Sequence, residues 1–139
     1  MKHSPDYYHN RKLLRELKYD DTKFRPKQED IETWFGILNE QIFGNKLKPF
    51  NKIGVKRLHR THAFYNYWSK ADLKEGKPNE VSLEMHCVFD NKKLFVEILA
   101  HEMIHHFQHS YNEPLGHGPS FTAWRDNFKL KGLTLYKVA

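Results

Sequence analysis

Apolar residues recur at intervals of three and four along two stretches of the chain and alternate with polar ones in between. From about Lys27 to Phe43, the positions Ile31, Trp34, Phe35, Leu38, Ile42 and Phe43 make one apolar stripe. That is the spacing of a helix that buries a single face. Acidic Glu29 and Asp30 suit its first turn and Gly44 suits its stop. Alternation then takes over. Ile53 to Leu58, the aromatic run Ala63 to Trp68, and Val81, Leu83 and Met85 interleaved with Ser82, Glu84 and His86 all predict strands. Residues 69–80 contain Gly76-Lys77-Pro78-Asn79 and predict a loop or hairpin connection. A second helical stretch spans about Asn91 to Ser110, and Pro119 opens a third, marked by Phe121, Trp124 and Phe128. Residues 1–25 are polar and charge-mixed, a short helix around Tyr8 to Leu17 or a loose arm, and Leu133 to Val138 reads as a short closing strand. The pattern predicts one α+β domain over 26–139. Its small mixed or antiparallel sheet packs on the first and central helices, and a C-terminal helix follows.

The central stretch stands out for what occupies its polar side. At about 100° per residue, Glu97, His101, Glu102, His105, Gln108 and His109 share one arc. Phe95, Val96, Leu99, Ala100, Met103 and Phe107 cover the other side, and His106 projects among them. A solvated helix face ordinarily carries Lys, Glu, Arg and Gln. This one holds three histidines and no lysine, which favours a metal face. His101 and His105 lie one turn apart, close enough to hold one ion, with Glu102 beside them as a candidate general base. A catalytic zinc takes three protein ligands, so one more is needed. His109 is a further turn along the same straight helix, and Glu113 leaves little chain in which to reverse. His117 comes twelve residues after His105, within the turn Gly116-His117-Gly118-Pro119, and is the preferred third ligand.

The length of 139 residues fits one domain. No apolar run approaches the roughly 20 residues of a membrane span, and the N-terminus lacks the apolar core of an export signal. A cytoplasmic protein with no membrane partner is expected. Cys87 is the sole cysteine, which excludes an internal disulfide and a Cys-rich zinc ribbon. The net charge of +6 resides in residues 44–80, the remainder summing to zero. That segment also holds Phe64, Tyr65, Tyr67 and Trp68, a composition suited to phosphate contact and base stacking. Lys46, Lys48, Lys52, Lys56, Arg57, Arg60 and Lys70 are the candidate contacts to single-stranded or duplex DNA. The competing reading is a solvated lysine-rich surface over core aromatics.

The run HEMIHHFQHSYNEPLGHGPSF resembles the active-site block of the SprT-like (Spartan) zinc metallopeptidases, in which HExxH is followed by a third histidine in an HGxxF setting. Upstream, TWFGILNEQIFGNKLKPF resembles that family's opening helix. The resemblance covers roughly residues 28–130, and the compact length is similar to stand-alone bacterial and viral members. It implies a minimal zincin-like metallopeptidase with one zinc ion on His101, His105 and His117. It also implies Glu102 as the catalytic base, a protein or peptide substrate, and a role among DNA-associated proteins.

Three further expectations follow. Glu102 takes a proton from the attacking water and passes it to the leaving amine. The strand Val81–His86, directly before the helix, serves as an edge that pairs with extended substrate. Tyr111, His109 and Arg125 are candidates to stabilise the oxyanion. The rival reading is a DNA-binding or scaffold protein with a structural or vestigial zinc site. The intact Glu102 argues for catalysis, because a structural site has no use for that carboxylate.

Overall fold

A computed structural model describes residues 5–137. Helix α1 (Pro5–Arg15) is the helical alternative for the N-terminal stretch. It lies on α2 (Gln28–Gln41), burying Leu14, and the Gln41 side chain donates to the Tyr7 carbonyl at 2.8 Å. Helix α2 starts where the Asp30 carboxylate accepts from the Lys27 N–H at 2.8 Å, one of its free first-turn donors. It ends at Gln41, and the turn that follows passes through Gly44, whose φ of +62° lies in the left-handed region that favours glycine. Asn39 fixes the turn beyond by donating to the Leu47 carbonyl and accepting from the Leu47 N–H, at 2.9 and 3.1 Å.

Strands β1 (Lys52–Lys56), β2 (Ala63–Tyr67) and β3 (Val81–His86) form a mixed sheet in the order β1-β3-β2. The β1 pairing with β3 is parallel and the β2 pairing is antiparallel. The expected edge strand is therefore the central one. Its alternation, with Val81, Leu83 and Met85 buried and the residues between half-buried, reports which face is covered. It does not report which sides are hydrogen-bonded; the edges are β1 and β2. Both outer strands are shorter than the apolar runs suggested. At Leu58 the backbone N–H has turned to the His86 ring, 2.9 Å away, instead of continuing the ladder. The 69–80 connection contains a short helix, α3 (Lys70–Lys74). Ser69 and Asp72 cap it reciprocally, the Ser69 hydroxyl accepting from the Asp72 N–H at 3.1 Å and the Asp72 carboxylate from the Ser69 N–H at 3.2 Å.

Helix α4 (Lys92–Ser110) begins at Asn91, whose side chain accepts from the Leu94 N–H at 2.8 Å. It packs against α2 and β2 and is buried on nearly every side. Phe95, Val96, Ile98, Leu99, Ala100, Met103 and Ile104 join the core with Leu38, Leu83, Met85, Phe89, Phe121 and Phe128. Glu97, His101, Glu102, His106 and Gln108 are buried as well. The polar arc is thus an internal surface rather than a solvated one. The C-terminal helix comes in two short pieces, α5 (Pro119–Thr122) and α6 (Arg125–Leu130). The expected closing strand is absent among the described residues. Leu133 inserts into the core, and Thr134 and Tyr136 spend their backbone groups on α4 side chains. Val138 lies outside the described residues. Among those described, no helix is long and apolar enough to cross a membrane.

Candidate metal centre

His101 and His105 face the same way because they are one turn apart on α4, and the turn after the helix brings His117 back to them. Gly116 makes that reversal with φ of +112°. Gln108 pins it: its side-chain amide donates to the Gly116 carbonyl and to the Ser120 hydroxyl, both at 3.0 Å. Ligand nitrogens of the three imidazoles lie within 4.8 Å of one another, and no fourth His, Cys, Asp or Glu among the described residues joins them.

The protons on these rings can be placed by their partners. The Nδ1 of His101 lies 2.7 Å from the Tyr136 carbonyl, which can only accept, so Nδ1 carries the hydrogen. The amide of Gln108 is oriented by the Gly116 carbonyl, so its Oε1 accepts from His105 Nδ1 at 3.0 Å. In the neutral rings both Nε2 atoms are therefore bare lone pairs, yet they stand 3.2 Å apart, and His117 Nε2 is 3.4 Å from that of His101. Lone pairs that close repel unless a cation lies between them. Two nitrogens bound tetrahedrally at about 2.0–2.1 Å from zinc would be about 3.3 Å apart, so the donor set fits such an ion. Outer partners that fix the ring tautomer are the usual companions of metal-binding histidines.

Glu102 lines the same cleft and is 4% exposed. Among the described residues it makes no hydrogen bond or ion pair, and burial alone pushes its carboxyl up to about 7. Burial, with His105 and His117 nearby, pushes His101 down to about 4, against a smaller opposing effect from the Tyr136 carbonyl. His105 is lowered chiefly by burial. All three effects come from withdrawing water from a charged form. The other cleft walls are Arg60, Thr61, Ala63, Phe64, Tyr65 and Tyr67 from the β2 side and Leu115, Gly116 and Lys137 opposite.

The remaining sequence candidates fall elsewhere. His109 sits against the rings of Tyr65 and Tyr67, and Glu113 borders a separate hollow with Gln108 and Trp68. The hydroxyl of Tyr111 donates to the Lys46 carbonyl at 2.7 Å. None of Tyr111, His109 and Arg125 lines the cleft. His106, the odd histidine on the apolar side, donates from Nε2 to the Lys48 carbonyl at 2.7 Å, leaving Nδ1 to accept from Tyr65 at 2.9 Å. It is a satisfied buried imidazole that ties β2 to α4.

The basic candidates do not share one hollow. Lys46 and Lys48 border one with His106 and His109, Lys52 a second with Asn66 and Trp68, and Lys70 the hollow of Glu113. Lys56 is paired with Glu84 at 3.2 Å. Arg57 is exposed just past β1, and Arg60 alone of the seven lines the histidine cleft.

Glu97 and Gln108 received no role from the sequence. The signal was their place on the histidine arc of a helix that turns out to be buried all round.

A family model described as the SprT-like family matches residues 31–135, most of the chain. A search of curated proteins finds no match. The family match spans the sheet, the central helix and the turn that returns His117, and the chain belongs to the SprT-like family.

Proposed function

We propose that the chain is a zinc-dependent endopeptidase of minimal zincin-like architecture. It would act inside the cell on peptide bonds of protein substrates, including proteins bound to DNA. The observation that carries this reading is Glu102, a buried carboxylate with no partner among the described residues, in the cleft where three imidazoles converge. A structural metal site would close on a fourth side chain and would leave such a carboxylate without purpose.

His101, His105 and His117 would hold one zinc ion. When bound, that ion supplies a Lewis acid that polarises the scissile carbonyl and acidifies water. Glu102 takes the proton from the attacking water and later gives it to the leaving amine. The edge of β2, which forms one wall of the cleft, can pair with an extended substrate backbone. DNA association rests on the excess positive charge of residues 44–80, and Arg60 brings that charge into the cleft itself.

The deciding experiment offers a disordered, casein-like protein to zinc-loaded and to chelated protein, with and without single-stranded or duplex DNA, across a salt series. Cleavage should require zinc and return when it is restored. DNA affinity should fall steeply with salt, each phosphate contact adding roughly 0.7–0.9 to the log–log slope. Salt-independent binding would remove the basic residues from the reading. A loaded protein that binds DNA and cuts nothing would instead be the scaffold or DNA-binding alternative.

A further inference from the structure

One buried carboxylate outside the histidine cluster has no part in the chemistry above. Glu97 is fully buried, one turn before His101 on the same side of α4. Its Oε2 accepts from the Thr134 backbone N–H at 2.6 Å and from the Tyr19 hydroxyl, while Oε1 has no partner among the described residues. Tyr19 also meets the Thr134 hydroxyl at 2.9 Å and the Tyr136 hydroxyl at 3.5 Å, and Lys93 lies over its ring at 4.3 Å. Burial and the hydrogen bond to Glu97 both push the Tyr19 phenol above its ordinary range, which keeps it a donor. Two residues beyond Thr134, the Tyr136 carbonyl receives the Nδ1–H of His101.

A half-satisfied buried carboxylate is a poor device for stability, since a well-packed apolar residue there would cost less. What Glu97 does achieve is geometric. It holds the backbone at residue 134, and that backbone presents the carbonyl that sets the His101 ring. We propose that Glu97, with Tyr19, is a positioning residue for the metal: it clamps the 134–136 segment so that the Tyr136 carbonyl fixes the tautomer and orientation of His101. The inference rests on the reading that the three histidines bind zinc, and it concerns only how tightly one of them is held.

The test measures zinc affinity by competition with a chromogenic chelator, together with the His101 Nδ1–H proton by NMR. Losing an outer partner of a metal histidine costs about 10–100-fold in affinity. Glu97→Leu should weaken zinc by that factor and abolish the slowly exchanging Nδ1–H signal. Glu97→Gln keeps an acceptor for Thr134 and should recover most of both. Tyr19→Phe removes one hydroxyl from an exposed side chain and should weaken zinc several-fold. Unchanged zinc affinity with the Nδ1–H signal intact in Glu97→Leu and Tyr19→Phe would overturn the proposal, as would a lower melting temperature with no change in affinity. A parent protein that binds no zinc would instead defeat the function proposed above.

Discussion

Replacing Glu102 by Gln should lower peptide cleavage by about 10²–10⁴-fold, the ordinary worth of a positioned general base, and leave one zinc ion bound. The amide fills the same volume, and no hydrogen bond among the described residues is lost with the carboxylate. The variant should also show the cost of keeping that group buried. In the metal-free protein the carboxyl is raised from 4.5 to about 7, so the stability it permits is complete below 4.5 and is lost as pH rises through 7. Gln has no charge to bury. Above pH 7 the metal-free variant should therefore be more stable than its parent, by an amount of order 3 kcal/mol at most. His101 works in the opposite sense: its pKa is depressed from 6.5 to about 4, so its contribution is intact above 6.5 and lost as pH falls towards 4. The two slopes oppose each other between about 4.5 and 6.5 in the parent, whereas the variant should show acid lability alone. Thermal melts of both metal-free proteins from pH 4 to 8 test this. A variant no more stable than the parent at pH 8 would count against a charged, desolvated Glu102.

His117→Ala should reduce zinc affinity by more than the 10–100-fold that follows loss of an outer partner, because it removes a ligand outright. Cleavage should disappear with the metal. The metal-free fold should hardly change. His117 is exposed, its turn is held by Gln108 through the Gly116 carbonyl, and exposed substitutions away from caps and cores usually stay within about 0.5 kcal/mol. His109→Ala and Glu113→Ala are the controls, since both side chains lie outside the histidine cluster and should leave metal content intact. Zinc retained at full affinity in His117→Ala would mean that the ion is held elsewhere.

How far the sequence could be read depended on the range of the interaction involved. The α2 stripe, the alternation of β3 and the pairing of His101 with His105 are set within a few residues, and each is visible as a period. The return of His117 is nearly as local, because the glycine and proline of its turn announce it. The place of β3 in the middle of the sheet is not local at all. It depends on β1 arriving from one side and β2 from the other, and neither is encoded in the alternation of β3. The shift of Tyr136 from an expected strand to a partner of His101 is of the same kind. So is the burial of Glu97 against Tyr19, seventy-eight residues away, where neither side chain carries any mark of the other. The positive charge of residues 44–80 was obvious as a sum, yet its carriers border different hollows once the chain is folded.

The exposed edge of β2 has a consequence for what such an enzyme would spare. Pairing along that edge requires a partner whose own amides and carbonyls are unspoken for over several consecutive residues. Native domains satisfy nearly all of theirs internally, whereas tails, linkers and damaged or unfolded chains do not. On the proposed reading, selectivity is for conformation before sequence: the protein would screen its surroundings for backbone that has failed to fold. The native and heat-denatured forms of one globular substrate make the comparison, and equal rates of cleavage would contradict it.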